Sequence, residues 1–223
     1  MTAFDPASLL HARTLSTDEG PIIRMSQRAR ELRARGTDVV SMTLGEPDFD
    51  TPENIQSAAT AAMKAGFTHY SPVLGIPELR VALSKKLKAE NGLDYGPNEI
   101  SVTNGAKQAI ANAILSIIGE GDEVIMLAPF WGSYEITVRF AGGTPVVLTA
   151  GVQENYKVPA RRIAEAITPR TKLIVLNSPS NPTGAVWTRA EIEELAAVVK
   201  SHPQLMVLSD EIYEYILFEG EMV

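Results

Sequence analysis

Residues 172–215, KLIVLNSPSNPTGAVWTRAEIEELAAVVKSHPQLMVLSDEIYEY, constrain the fold more than any other stretch of the chain. Two apolar runs, Leu173–Leu176 and Leu205–Leu208, flank Arg189–Lys200, where Leu, Ile, Ala and Val recur on one helical face. That pattern is a strand–helix–strand unit, whose crossover sets the two strands parallel with both carboxyl ends on one edge. The segments leaving the two strands are therefore delivered to the same rim. Asn177-Ser-Pro-Ser-Asn181-Pro-Thr-Gly184 leaves the first; Ser209, Asp210 and Tyr213 leave the second. Ligands of open parallel sheets bind at that rim. An amide, a carboxylate and a phenol converging there can hold a polar, ring-shaped ligand.

The rest of the chain repeats the alternation. From Glu99 onward the pattern predicts strands at Ile100–Thr103, Glu123–Leu127 and Pro145–Leu148, with helices at Ala106–Ile118, Ser133–Phe140 and Pro159–Ile167. The strands are nearly continuous Val, Ile and Leu, as burial on both faces requires, so the expected class is α/β: a mostly parallel sheet covered by helices on both faces. Upstream, helices are predicted at Pro21–Arg35, at Glu53–Lys64 and through Lys88, with a short strand at Val39–Ser41. Residues 1–45 are expected to form an N-terminal arm and small-domain segment, and residues 46–223 one large domain.

Composition narrows the function. A net charge of −7 without a basic cluster argues against nucleic acid as a partner. No apolar run approaches membrane-spanning length and Met1–Leu15 has no apolar signal core, so a cytoplasmic protein with no membrane association is expected. With no cysteine there is no disulfide and no thiolate chemistry, and His11, His69 and His202 are too scattered to suggest a metal site.

Three further segments carry chemistry. Thr103-Asn-Gly-Ala-Lys-Gln108 joins a strand to a helix start, where unpaired amides and the helix dipole favour an anion. It has neither the P-loop spacing nor the three-glycine dinucleotide fingerprint. Lys107 reads equally as a contact to that anion or as a solvated lysine. Trp131, in Pro129-Phe-Trp-Gly-Ser-Tyr134, can lie against a flat heteroaromatic ring or pack as a large apolar residue. Asp210 ends a buried apolar strand, where an unpaired carboxylate is costly, so it needs a positive partner or a turn to cap.

The combination of N-P-T-G with S-D-E-I-Y at this spacing resembles the pyridoxal-phosphate-dependent aminotransferases of fold type I, class I/II, close to the bacterial aspartate aminotransferase group. The resemblance implies a large-domain fold with pyridoxal 5′-phosphate as cofactor, and an amino acid and a 2-oxo acid as substrates. It places Gly105, Ala106 and Lys107 at the cofactor phosphate and Trp131 over the pyridine ring. Asp210 falls at the ring nitrogen, whose protonation keeps the ring electron-poor, while Asn181 and Tyr213 hydrogen-bond the phenolic oxygen; Asp210 and Tyr213 are the catalytic pair. Asn177 is read as ending its strand and shaping the turn. Gly45, in G-E-P-D-F-D-T-P, falls at the substrate carboxylate, with Trp131 and Asn181 also facing substrate; structurally the same loop is a turn with Thr51 and Pro52 opening the next helix. Tyr70, in H-Y-S-P-V-L-G-I-P-E-L-R, would reach the phosphate of a neighbouring subunit in a homodimer, or be an ordinary surface tyrosine.

The family's cofactor-bearing lysine lies beyond the aspartate. Here Lys64, Lys85, Lys86, Lys88, Lys107, Lys157, Lys172 and Lys200 all precede Asp210, and the chain stops at Val223. The expectation is a fragment or a truncated gene product, incomplete as a large domain and inactive as it stands. The alternatives are a non-catalytic homologue retaining cofactor binding or subunit association, or another fold type I enzyme such as a carbon–sulfur lyase or a cyclopropane-forming synthase.

Overall fold

The computed structural model describes residues 5–15, 20–47, 49–216 and 218. Its elements, in chain order, are α1 (Ala12–Leu15), α2 (Pro21–Ala34), α3 (Glu53–Lys64), α4 (Pro77–Glu90), α5 (Ala106–Ile117), β1 (Glu123–Ala128), α6 (Ser133–Phe140), β2 (Thr144–Thr149), α7 (Ala160–Ala166), β3 (Thr171–Asn177), α8 (Arg189–Lys200) and β4 (Met206–Asp210). Packing divides the chain into two units, Met1–Asp18 with Asn104–Val223, and Glu19–Thr103.

The first unit is built on a parallel four-stranded sheet of order β2-β1-β3-β4. Its strands alternate their apolar side chains between two cores. Val124 and Met126 of β1 and Leu173 and Val175 of β3 pack with Ile110 and Ile114 of α5 and Tyr134 and Val138 of α6. Ile125, Ile174 and Leu176 turn the other way, onto Ile163 of α7, Leu195 of α8 and Trp187. This is why β1 and β3 read as unbroken apolar runs, whereas β2 and β4, at the two ends of the strand order, leave Val147, Met206 and Val207 exposed. Each side chain so buried contributes about 1.5–3 kcal/mol, and both faces are covered by helices as expected.

The chain leaves β1 toward β2 on one side and returns across it to β3, so the winding reverses between β1 and β3. At such a switch the carboxyl ends open a crevice. Helix α8 starts where the sequence dictates: Thr188 accepts the Glu191 amide, and the Glu191 carboxylate accepts the Thr188 amide at 2.7 Å, a reciprocal cap. Lys157 pairs with the same carboxylate at 2.7 Å. At the opposite end of the sheet, Glu123 opens β1 nearly buried and accepts Arg170 Nε at 2.9 Å, with Thr168 and Thr171 also donating.

The Glu19–Thr103 unit holds α2, α3 and α4. Helices α3 and α4 bury none of their residues. Two strands expected here are absent among the described residues. Ile100–Thr103 is extended, but its backbone groups are used inside the unit: Val102 N–H donates to the Leu74 carbonyl and Arg80 Nε to the Ile100 carbonyl. Val39–Ser41 pairs with no strand either, because the Arg33 guanidinium of α2 takes the Val39 carbonyl. Gly75 fits its turn for two reasons: its φ is +96°, and a Cβ there would stand 2.6 Å from Val102. Among the described residues no helix is long and apolar enough to cross a membrane.

Candidate functional site

Strands β3 and β4 end on the same rung, with Asn177 the register partner of Asp210. Asn177 Nδ2 donates to the Asp210 carbonyl at 2.8 Å, and its Oδ1 accepts the Asn181 amide at 2.7 Å. One side chain thus ties the end of β4 to the loop after β3. The Asn181 side chain is held in turn by donating to the Tyr213 hydroxyl at 3.2 Å.

Asp210 is 8% exposed. Its Oδ2 accepts the Tyr134 phenol at 2.6 Å and its Oδ1 the Ile212 amide at 3.2 Å. Both donors are neutral, so they stabilise a charged carboxylate without cancelling its charge. Burial, and then the hydrogen bond to Asp210, push the Tyr134 phenol above its ordinary range, so it remains protonated as a donor. The Tyr134 ring meets Trp131 edge-on, with centroids 5.5 Å apart and planes at 89°. Lys107 Nζ lies 5.0 Å from the Trp131 ring centroid.

Helix α5 begins after Gly105, whose φ of +80° and ψ of 166° suit only glycine. The first-turn amides of Ala106 and Lys107 have no acceptor within the helix. Asn104 N–H is turned aside onto Gln108 Oε1 at 2.6 Å.

These groups surround one cavity of about 200 Å³. Of the residues singled out from the sequence, the structure gathers Ala106, Lys107, Trp131, Asn181, Asp210 and Tyr213 on its wall, with Gly105 next to Ala106. Asn177, Tyr134 and Ile212 also line it. Gly45 and Tyr70 belong to the Glu19–Thr103 unit, where Tyr70 is fully exposed. Tyr134 escapes a reading of the sequence. A tyrosine three residues after Trp131 and just past a strand end is the available signal, but its partner lies 76 residues away.

The donor set suits a flat, anionic, nitrogen-bearing ring. A buried carboxylate can accept a ring N–H, the Trp131 indole on the same wall can cover a ring face, the Asn181–Tyr213 pair can address a ring oxygen, and a helix start can receive an anion. The family model for aminotransferase class I and II matches residues 37–223. The aspartate/prephenate aminotransferase of Cereibacter sphaeroides is 49% identical over 197 residues, covering 88% of this chain and 49% of that protein. Its counterpart in Thermus thermophilus is 49% identical over 199 residues, covering 89% and 51%. The solved structure of Thermus thermophilus aspartate aminotransferase with maleate superposes with a TM-score of 0.92 at 47% identity, over 95% of this chain and 55% of that one. An alanine aminotransferase from Pyrococcus furiosus gives a TM-score of 0.91 at 33% identity, over 96% and 55%. The chain spans about half the length of the curated relatives it matches.

Proposed function

The chain belongs to the class I and II aminotransferases, and we propose that its Asp210 cavity binds pyridoxal 5′-phosphate to transfer an amino group between an amino acid and a 2-oxo acid. Aspartate is the proposed donor, after the similar proteins named for it. When bound, the cofactor supplies an electron-poor ring able to take up charge as the substrate Cα proton leaves.

The observation that carries this reading is the placement of Asp210 and Trp131 on either side of Tyr134, on the wall of one cavity. Asp210 holds a proton on the ring nitrogen by charge and hydrogen bond. Trp131 offers its indole to the ring. Tyr213 accepts from Asn181 Nδ2, which leaves its own proton to donate toward a phenolic oxygen in the cavity. The amides of Ala106 and Lys107, just past Gly105, receive the phosphate at the start of α5, with the Lys107 ammonium adding charge. Trp131 and Asn181 also face substrate, and Gly45 meets the substrate carboxylate through its backbone. The working form is a cytoplasmic homodimer in which Tyr70 reaches the phosphate held by the other subunit.

No lysine follows Asp210 within the 223 residues. Lys107, the lysine on the wall of this cavity among the described residues, is assigned here to the phosphate, so a polypeptide of these residues alone is expected to bind the cofactor without turning over. The test is a titration of that polypeptide with pyridoxal phosphate, followed by assay with aspartate and 2-oxoglutarate and by borohydride reduction with peptide mapping. Saturable binding at one site per chain, no turnover and only substoichiometric lysine labelling are expected. A folded chain that fails to bind would overturn the cofactor assignment. A single stoichiometric phosphopyridoxyl-lysine with turnover would show that one of the eight lysines named above serves as the base.

A further inference from the structure

We propose that Tyr134 is the positioning residue of this site: its phenol fixes the plane of the Asp210 carboxylate and stabilises its charge, while its ring sets the angle of Trp131. The proposal rests on the reading of Asp210 as the group that meets the ring nitrogen, and adds the residue that makes it fit for that task. Tyr134 sits in the first turn of α6 at 1% exposure, packed in the core with Val124, Met126 and Val175. Its hydroxyl therefore has little freedom to leave Asp210 Oδ2, 2.6 Å away. With Oδ1 restrained by the Ile212 amide, neither carboxylate oxygen is loose.

An ionised carboxylate has about four acceptor directions, and these two donors use only two, so capacity remains for an N–H in the cavity. Burial alone disfavours the charge; a phenol donating to the charged form opposes that. The ring has a second task. It packs perpendicular to Trp131, the planes at 89° and the centroids 5.5 Å apart, so a shift of Tyr134 would disturb the carboxylate and the indole together. The other titratable groups around Asp210 are Lys107 from α5 and Tyr213 beyond β4, which line the same cavity, and Glu211, next in sequence and bonded to Ser209 Oγ at 2.7 Å.

Tyr134→Phe keeps the ring and deletes only the donor. The experiment is a ¹³C NMR titration of the aspartate carboxyl carbons in the protein without cofactor, Asp210 being assigned by its loss in Asp210→Asn. Losing a hydrogen bond to a charged acceptor should move the Asp210 midpoint up by about one to two pH units. An unmoved midpoint in a folded Tyr134→Phe protein would overturn the proposal and leave Tyr134 a packing residue. Should that variant not fold, the unsubstituted protein decides. A slowly exchanging Tyr134 hydroxyl proton, with a deuterium isotope shift on the Asp210 carboxyl carbon, is expected, and its absence overturns the proposal. Since no cofactor is present, neither outcome depends on whether pyridoxal phosphate binds.

Discussion

Asn177 and Asp210 share the last rung of the β3–β4 ladder, and the Asn177 side chain spans that rung, donating to the Asp210 carbonyl at 2.8 Å and accepting the Asn181 amide at 2.7 Å. The loop that carries Asn181 and the strand that carries Asp210 are thereby held in one frame. An asparagine that ends its strand thus orients the site through the backbone.

Asn177→Ala should loosen both. The Asp210 carbonyl keeps the Ser178 amide as a donor at 3.3 Å, but the Asn181 amide loses its acceptor. Leaving the part-buried Asn181 amide without an acceptor should cost at most about 1–3 kcal/mol, read as a fall in the denaturant midpoint. Affinity for pyridoxal phosphate should fall with it. Unchanged stability and affinity would show that the frame is held elsewhere.

Gly105→Ala tests the start of α5. A Cβ there would meet nothing within 4 Å, so any cost is conformational. The backbone at φ +80° and ψ 166° is strained for an L side chain by about 1–3 kcal/mol. Relief of that strain should re-aim the Ala106 and Lys107 amides. Phosphate affinity, measured by calorimetry with inorganic phosphate and with the cofactor, is expected to drop while the sheet core persists in circular dichroism. Native affinity in the variant would separate the phosphate from α5.

Much of the fold is legible in the sequence, and the reasons are physical. Leu173–Leu176 announces a strand because residues buried on both faces are apolar without alternation; Leu205–Leu208 reads the same way although β4 lies at the sheet edge with Met206 and Val207 exposed, and the strand ends then locate Asp210 and Asn181. The same apolar signal at Ile100–Thr103 misleads, since a run of Ile and Val does not reveal which backbone it bonds; here the bonds go to Leu74 and to Arg80. Tyr134 is hidden for a related reason. A tyrosine in a helix that packs on a sheet looks like core, and only the fold brings its hydroxyl to Asp210.

The far end of the sheet gives a pH prediction. Hydrogen bonds from Thr168, then from Arg170, hold the Glu123 carboxyl below its usual range despite burial. A depressed folded-state value means this stabilisation is present above the unfolded value, about 4.3, and is lost as pH falls through the folded one. Glu123→Gln should lower stability at neutral pH by about 1–3 kcal/mol and flatten the acid limb of the stability profile. The check is guanidinium unfolding of both proteins from neutral pH down to acid. A variant with an equally steep acid limb would place the acid-sensitive group elsewhere, with Asp122, lowered by its hydrogen bond from Lys172, the next candidate.

The central claim is that Asp210 holds a proton on the ring nitrogen of pyridoxal phosphate, and ¹⁵N NMR of ring-labelled cofactor bound to the protein measures this directly. Asp210→Asn should fold as before, because the amide oxygen can still accept the Ile212 amide while its NH2 donates to the Tyr134 oxygen, whose hydroxyl proton rotates away. It should bind the cofactor about 10–100-fold more weakly, the factor that losing a charge-assisted hydrogen bond implies. In the unsubstituted protein the nitrogen is expected to be protonated at neutral and mildly alkaline pH, and in the variant it is expected to be unprotonated. A ring nitrogen that stays protonated in Asp210→Asn, with affinity unchanged, would contradict the account.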